Sequence, residues 1–179
     1  LSVLSAVTFC SVWALASPKL NSSFAISWTG GRSPAVQIQT EKEFTVLKKG
    51  APSRLDPLLV DGSRWTEGHT RWETVRPAGG DGFALRLDSG QTSALLNFGL
   101  TARQQAEWLR RSPRSVDLLS WTGGKGGPPQ KELLTLLDPR WIVYHGPRIP
   151  ISVRQSGAAV YRPRRGGLHW RTTSTSAGF

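Results

Sequence analysis

Few side chains in this chain of 179 residues have the chemistry to bind a metal ion or attack a substrate. The three histidines, His69, His145 and His169, are far apart in the sequence, and Cys10 is the only cysteine. One cysteine excludes an internal disulfide framework and a cysteine-rich zinc site, and scattered histidines do not predict a metal cluster. No serine stands in a Gly-x-Ser-x-Gly motif, so we interpret any Ser, His and Asp combination as chance.

Two further features, a histidine and a glycine-rich segment, are weak candidates for a functional site. His145 follows a predicted strand, where sites in α/β sheets tend to lie, although a lone histidine there more often has a structural role. The glycine-rich segment 123–127 resembles a phosphate-binding loop, which needs Gly-Lys-Ser/Thr at the start of a helix. Because Lys125 is followed by two glycines and two prolines, we predict a connecting loop and no nucleotide site.

The end of the chain is strongly basic. The formal net charge is +11, and no acidic residue follows Asp138. Arginine makes bidentate contacts with phosphate and aromatic rings stack on unpaired bases, so this segment predicts contact with a polyanion, either single-stranded DNA or anionic lipid headgroups. The alternative is that the arginines form a solvated face and the aromatics pack in the core. The candidate polyanion-binding residues are Lys125, Arg140, Arg148, Arg154, Arg162, Arg164, Arg165 and Arg171, interleaved with Trp141, Tyr144, Tyr161 and Trp170.

The elements that must position these residues begin with β-structure. Alternating apolar and polar residues predict two or three antiparallel strands in residues 21–50. Residues 51–81, rich in Pro, Gly and charge, predict a long loop with one strand near 70–75. Residues 83–98 predict a hairpin with its turn at 88–91, and the capping-box pattern of Thr101 and Gln104 predicts a helix.

The second half alternates between strands and helices. An apolar strand at 116–121, a short helix at 130–137 and a strand at 141–144 predict parallel neighbours with a right-handed crossover. A weak helix at 149–155 follows, and residues 158–161 and 168–171 predict short closing strands joined by a turn at 164–167. Together these elements predict an α/β layered domain.

Residues 1–16 are apolar and carry no charge. They predict the trailing part of a transmembrane helix, a signal-peptide core, or a buried core helix. Because the chain contains no methionine, we interpret it as a processed product or a fragment. The expected organisation is an apolar helix at 1–17, a single domain at 21–171 and a flexible tail at 172–179.

The serial order of these segments resembles the metallo-β-lactamase-like domain at the carboxyl terminus of ComEC proteins, the membrane channels for DNA uptake in bacterial transformation. In that family a Leu-Leu-x-Gly-Asp segment and a helix precede Asp-Val-Leu-x-x-x-His-His-Gly-Ser-Lys. Here Leu95-Leu96-Asn97-Phe98-Gly99 is followed by Val116-Asp117-Leu118-Leu119-Ser120-Trp121-Thr122-Gly123-Gly124-Lys125, and Tyr161-Arg162-Pro163-Arg164-Arg165-Gly166-Gly167 is similar to the closing turn. The resemblance implies a shortened metallo-β-lactamase-like fold.

The departures from the family pattern concern the metal site. Hydrolytic members bind two metal ions through a His-x-His-x-Asp-His loop, a later histidine and a bridging aspartate, and this chain has no His-x-His-x-Asp-His motif. The bridging-aspartate position falls on Gly99, and the His-His position falls on Trp121 and Thr122. Because metal-assisted hydrolysis needs those imidazoles and carboxylates, we expect a degenerate domain with no metal, no cofactor and no hydrolytic activity.

The resemblance implies the carboxyl-terminal, non-catalytic domain of a ComEC-like protein at the plasma (inner) membrane, attached through residues 1–16. Its expected partners are the incoming single-stranded DNA, contacted by the basic residues, and the rest of a polytopic membrane protein. The alternative is a secreted or membrane-tethered α/β binding domain of unknown ligand. A hydrolase with an unrecognised site is the least favoured interpretation.

Overall fold

The computed structural model describes residues 24–28, 35–40, 44–48, 60–90, 92–122, 126–163, 167–172 and 177–178. The strands are β1 (Phe24–Trp28), β2 (Ala35–Thr40), β3 (Phe44–Lys48), β4 (Arg64–Glu67), β5 (Thr70–Val75), β6 (Phe83–Ser89), β7 (Thr92–Phe98), β8 (Leu118–Trp121), β9 (Trp141–Tyr144), β10 (Ala159–Tyr161), β11 (Leu168–Thr172) and β12 (Ala177–Gly178). The helices are α1 (Ala102–Leu109), α2 (Lys131–Leu137) and α3 (Ile151–Arg154).

The strands form two sheets. A five-stranded sheet has the order β12-β11-β1-β2-β3, and a seven-stranded sheet has the order β10-β9-β8-β7-β6-β5-β4. The predicted antiparallel strands at the start of the domain are confirmed, because β1 pairs antiparallel with β2 and β2 with β3. The hairpin of β6 and β7 is confirmed as well.

The two sheets pack face to face because their strands alternate. In β1, Phe24, Ile26 and Trp28 are buried while the residues between them are half-buried, so one face of the sheet is apolar. This face packs against residues of the seven-stranded sheet, among them Leu85 and Leu96. Burial of such side chains contributes about 1.5–3 kcal/mol each relative to full exposure, so this layer stabilises the packing of the two sheets.

The helices cover the opposite face of the seven-stranded sheet. The predicted capping box is confirmed, since the Thr101 side chain accepts from the backbone of Gln104 and the Gln104 side chain accepts from the backbone of Thr101. The prediction that α2 presents leucines on one side is also confirmed, because Leu133, Leu134 and Leu137 are buried in a second core cluster.

The parallel strands fix where a site could lie. β7, β8, β9 and β10 are parallel neighbours, as predicted for the segments around 116–121 and 141–144. Helix α1 lies between β7 and β8 in the chain, and α2 lies between β8 and β9. The carboxyl ends of these strands therefore share one edge of the sheet, which we call the carboxyl edge.

The structure corrects three predictions. The segment 51–81 contains a second strand, β4, which pairs antiparallel with β5 where a loop was expected. The strands near 158–161 and 168–171 do not form a hairpin, because β10 adds to β9 in one sheet and β11 adds to β1 in the other. The expected flexible tail at 172–179 is wrong in part. Thr172 is buried in β11, and its hydroxyl bonds to the backbone of Phe24. The strand β12 pairs with β11.

Residues 1–16 lie outside the described residues, as do the predicted turn residues 164–166 and the loop residues 123–125. Among the helices that the structure describes, none has the length and apolar character needed to cross a membrane.

Candidate functional site

The carboxyl edge brings together the positions that sequence reasoning assigned to the former metal site. The parallel registers pair Asn97 with Trp121 and Trp121 with Tyr144 across three neighbouring strands. Gly99, Thr122 and His145 come directly after these strands, so they lie at the same edge. The chemistry available there depends on what each of these residues does.

Gly99 occupies a backbone conformation that favours glycine. Its φ is +85°, in the left-handed region, and the turn is held by the Leu100 N–H, which donates to Oδ1 of Asn97 at 3.0 Å. Gly126 packs against this turn so closely that a Cβ on it would lie 2.5 Å from the carbonyl oxygen of Leu100. The turn therefore has a structural reason for glycine, and a side chain at position 99 would be strained.

Trp121 and Thr122 also have structural partners. The Trp121 indole is fully buried in the cluster beneath the helices, and its Nε1 donates to the carbonyl oxygen of Gly127 at 3.0 Å. The hydroxyl of Thr122 donates to the carbonyl oxygen of Asn97 at 2.9 Å. Thr122 thus joins the end of β8 to β7, and Trp121 joins β8 to the segment that follows it. Neither side chain supplies an imidazole or a carboxylate.

A buried hydrogen-bond chain runs beneath the carboxyl edge and links the two sheets. Nε1 of Trp28 donates to Oγ of Ser120 at 2.8 Å, and this hydroxyl lies 3.3 Å from Nε2 of His145. Because the Ser120 oxygen accepts from the indole, its own proton is available to His145. Ser120 is 1% exposed, so the pair has the composition of a nucleophile and its base without access for a substrate.

Burial fixes the protonation state of His145. Removal of its imidazole from water lowers its pKa from 6.5 to about 4, because the charged form loses its hydration. The ring is therefore neutral near pH 7 and can accept the proton of Ser120. The structural interpretation of this lone histidine agrees with these contacts.

The other two histidines lie elsewhere. His69 is exposed in the turn between β4 and β5, five strands away from β9, or about 24 Å at the usual spacing of neighbouring strands. His169 lies on the exposed face of the five-stranded sheet, where Nδ1 is 2.8 Å from Oγ of Ser27. Within the described ranges, no group of three or more His, Cys, Asp or Glu side chains is placed to hold a metal ion.

The predicted polyanion-binding residues do not share a single edge. Arg148 lies in the loop after β9 and Arg162 directly follows β10, so both belong to the carboxyl edge. Arg140 lies at the opposite end of β9, with its guanidinium 4.6 Å from the ring centroid of Trp141. Arg154 ends α3 and Arg171 lies on β11 of the other sheet. All five arginines are exposed, and Lys125, Arg164 and Arg165 lie outside the described residues.

Comparison with solved structures identifies this architecture. The fold is similar to that of the metallo-β-lactamase fold protein YhfI from Bacillus subtilis, with a TM-score of 0.54 and 10% identity over 82% of this chain and 99% of that one. The chain has a metallo-β-lactamase fold. A second structure, described as a Zn-dependent hydrolase of the metallo-β-lactamase superfamily from Thermotoga maritima, aligns with a TM-score of 0.47 and 13% identity over 76% of this chain and 82% of that one. The sequence matches no protein-family profile and no curated protein.

The shortened metallo-β-lactamase-like fold predicted from the order of segments is thus confirmed at the level of the fold. Among the residues of the carboxyl edge that the structure describes, the donor set does not fit a pair of metal ions. Asn97, Thr122 and His145 offer an amide, a hydroxyl and one imidazole, whereas a site of that kind needs several imidazoles and a bridging carboxylate.

Two of the aromatic residues predicted to stack on bases cannot do so. Tyr144 is 5% exposed and Trp170 is 0% exposed, and each belongs to a core cluster. Trp141 and Tyr161 are half-buried. The interpretation of these aromatics as core is therefore correct for Tyr144 and Trp170.

Sequence reasoning missed two arrangements. The bond between Trp28 and Ser120 joins residues 92 positions apart, and no local pattern indicates it. The β4–β5 hairpin places arginines on one face of the sheet, and this arrangement was missed because part of the segment was predicted to be a loop. Its signal was present in the period-two spacing of Arg64 with Thr66 and of Arg71 with Glu73, which places all four side chains on one face.

Proposed function

We propose that this chain is the carboxyl-terminal, non-catalytic domain of a ComEC-like membrane protein that internalises DNA in natural transformation. The domain holds no metal ion and contacts the incoming single strand through exposed arginines. The proposal rests on the resemblance in segment order and on the metallo-β-lactamase fold.

The observation that carries the non-catalytic part is the set of partners at the carboxyl edge. Gly99 has a left-handed φ, Trp121 is core, and Thr122 bonds to a neighbouring backbone carbonyl. At these three positions the chain uses residues whose contacts stabilise the strand ends. An activated water molecule needs ligands that these residues do not supply.

The DNA-binding part is supported by charge. Arg148 and Arg162 are exposed at the same edge of the sheet, in a chain with a formal net charge of +11. Arginine guanidinium groups bind phosphate oxygens in a bidentate geometry, and binding of this kind weakens as salt replaces the released counterions.

The first experiment measures metal. The purified chain is incubated with zinc or manganese and desalted, and its metal content and melting temperature are then determined. We expect no stoichiometric metal and no rise in melting temperature. One or two tightly bound ions per chain would overturn the non-catalytic assignment.

The second experiment measures binding of a fluorescent 20-nucleotide single strand by anisotropy at increasing salt. The double variant Arg148→Gln/Arg162→Gln is expected to bind more weakly and to lower the slope of log K against log salt by about 1.4, the value for two lost phosphate contacts. The matched control is Arg103→Gln/Arg110→Gln, which removes the same charge in the first turn of α1 and directly after its last residue. Equal weakening by both double variants, or binding that ignores salt, would contradict the proposed contact.

A further inference from the structure

A depression of about 380 Å³ lies on the outer strands of the seven-stranded sheet. Its floor is the β4–β5 hairpin, on the same side of the sheet as the helices, and one wall comes from the segment between α1 and β8. Its lining residues are Arg64, Trp65, Thr66, Arg71, Glu73 and Arg114.

The depression has more positive than negative charge. The Glu73 carboxylate is shared by Arg64, whose guanidinium is 2.8 Å away, and by Arg114 at 3.4 Å. Asp88 is shared in the same way, by Arg86 at 2.9 Å and Arg114 at 3.4 Å. With Arg71, four guanidinium groups surround two carboxylates, which leaves two positive charges without a counterion in this cluster.

Among the arginines of this depression, Arg71 has the fewest hydrogen bonds and ion pairs. Arg71 is exposed and lies directly opposite Asp88 in the β5–β6 register. The two oxygens of the Asp88 carboxylate instead accept from Nε of Arg86, each at 3.0 Å. Within the part of the chain that the structure describes, Arg71 makes no hydrogen bond and no ion pair. Its guanidinium therefore points its donors at solvent or at a ligand.

The wall that carries Arg114 is held in place. The Arg86 side chain is 9% exposed, and its two terminal nitrogens donate to the carbonyl oxygens of Arg114 and Ser115, each at 3.0 Å. A buried guanidinium thus fastens this segment to the sheet before any ligand arrives. A site assembled in advance loses less conformational entropy on binding than one that must fold around its ligand.

The chemistry of the lining selects the ligand. A planar guanidinium matches two oxygens of a phosphate group, and a threonine hydroxyl donates a further hydrogen bond. The Trp65 ring lies on the opposite face of the hairpin, stacked on Trp72 at a centroid distance of 5.4 Å in the core between the sheets, so it is not available to a ligand in this depression. A volume of about 380 Å³ exceeds what one phosphate group fills, so the ligand carries a further group beside the phosphate.

We propose that this depression binds the phosphate group of a phosphate ester, with Arg71, Arg114 and Thr66 contacting its oxygens. The ester is either a free nucleotide or one unit of a nucleic-acid strand, because the two present the same phosphate and the same planar base. The site is independent of the proposed function, since none of its residues belongs to the carboxyl edge.

The experiment is calorimetric titration of the full chain with adenosine monophosphate, with inorganic phosphate and with a twelve-residue oligothymidylate. Adenosine monophosphate is expected to bind with a stoichiometry of one and more tightly than inorganic phosphate. The variant Arg71→Gln/Arg114→Gln is expected to weaken its binding at least about tenfold, the usual effect of losing a charge-assisted hydrogen bond. The matched control, Arg103→Gln/Arg110→Gln, removes the same charge at the two ends of α1 and is expected to leave nucleotide binding unchanged.

Each outcome decides a part of the proposal. Oligothymidylate binding that falls in the Arg71→Gln/Arg114→Gln variant, without nucleotide binding, assigns the site to a polynucleotide. Phosphate binding as tight as nucleotide binding overturns the requirement for a group beyond the phosphate. No binding of any of the three probes, or equal loss in the control, overturns the site. If replacement of the carboxyl-edge arginines has no effect in the anisotropy experiment, the calorimetric results are not affected. The two proposals can therefore be refuted separately.

Discussion

Replacement of His145 gives a direct test of the buried chain between the two sheets. The folded protein keeps this imidazole neutral because its pKa is lowered from 6.5 to about 4 by burial. The unfolded chain takes up the proton at the higher pH. Between these two values the unfolded state binds more protons than the folded state, so the free energy of unfolding falls as the pH is lowered from about 6.5 to about 4.

The size of the effect follows from the two pKa values. Their difference corresponds to at most about 3 kcal/mol, since His145 is half-buried and solvent screens part of the cost. Most of this is reached at pH 5, where His145 alone is expected to lower the free energy of unfolding by about 2 kcal/mol relative to pH 7. Protonation also ends acceptance of the Ser120 proton at Nε2, which acts in the same direction.

The assay is urea unfolding of the natural chain and of His145→Gln at pH 7, 6 and 5. Contributions from the rest of the chain cancel when the two proteins are compared at each pH. The natural chain is expected to lose about 2 kcal/mol more than the variant between pH 7 and pH 5, whatever their difference at pH 7. Parallel pH profiles would show that His145 is not held neutral and would refute the reasoning.

Two further predictions concern packing near the carboxyl edge and the start of α1. Gly126→Ala places a Cβ 2.5 Å from a backbone oxygen and is expected to lower the melting temperature strongly. Its control is Gly127→Ala, which has a φ of +77° and open space around it and is expected to lower the free energy of unfolding by only about 1 kcal/mol. Equal melting temperatures of the two variants would contradict the close approach at Gly126. Gln104→Ala removes the amide that donates to three carbonyls of the segment 77–82 and is expected to cost about 2–3 kcal/mol in urea unfolding. Retained stability in that variant would mean that water replaces the amide.

Local sequence signals predicted most elements because each element has a local physical cause. The capping box of Thr101 and Gln104 needs only residues three positions apart, and the helix face of Leu133, Leu134 and Leu137 follows from helical periodicity. Helix α2 ends where Asp138, in a left-handed conformation, precedes a proline. Apolar strands joined by a helix also implied the parallel pairing of β8 and β9.

Sequence reasoning failed where the partner of a segment is distant. The strand β11 pairs with β1, more than 140 positions away, and no turn between β10 and β11 could reveal that they join different sheets. The strand β4 was not predicted because its composition is typical of a loop. Its half-buried positions hold Trp65 and Glu67, and its exposed positions hold Arg64 and Thr66.

The sequence by itself determined what the chain lacks and where its strands and helices run. Scattered histidines, one cysteine and a positive net charge are properties of composition, and they hold before folding. Tertiary structure decided which groups act together. It buried Tyr144 and Trp170, joined Trp28 to Ser120 and His145, and gathered Arg64, Arg71 and Arg114 around one depression. These outcomes depend on the register of long-range strand pairs, because a shift of one residue would turn each side chain to the other face.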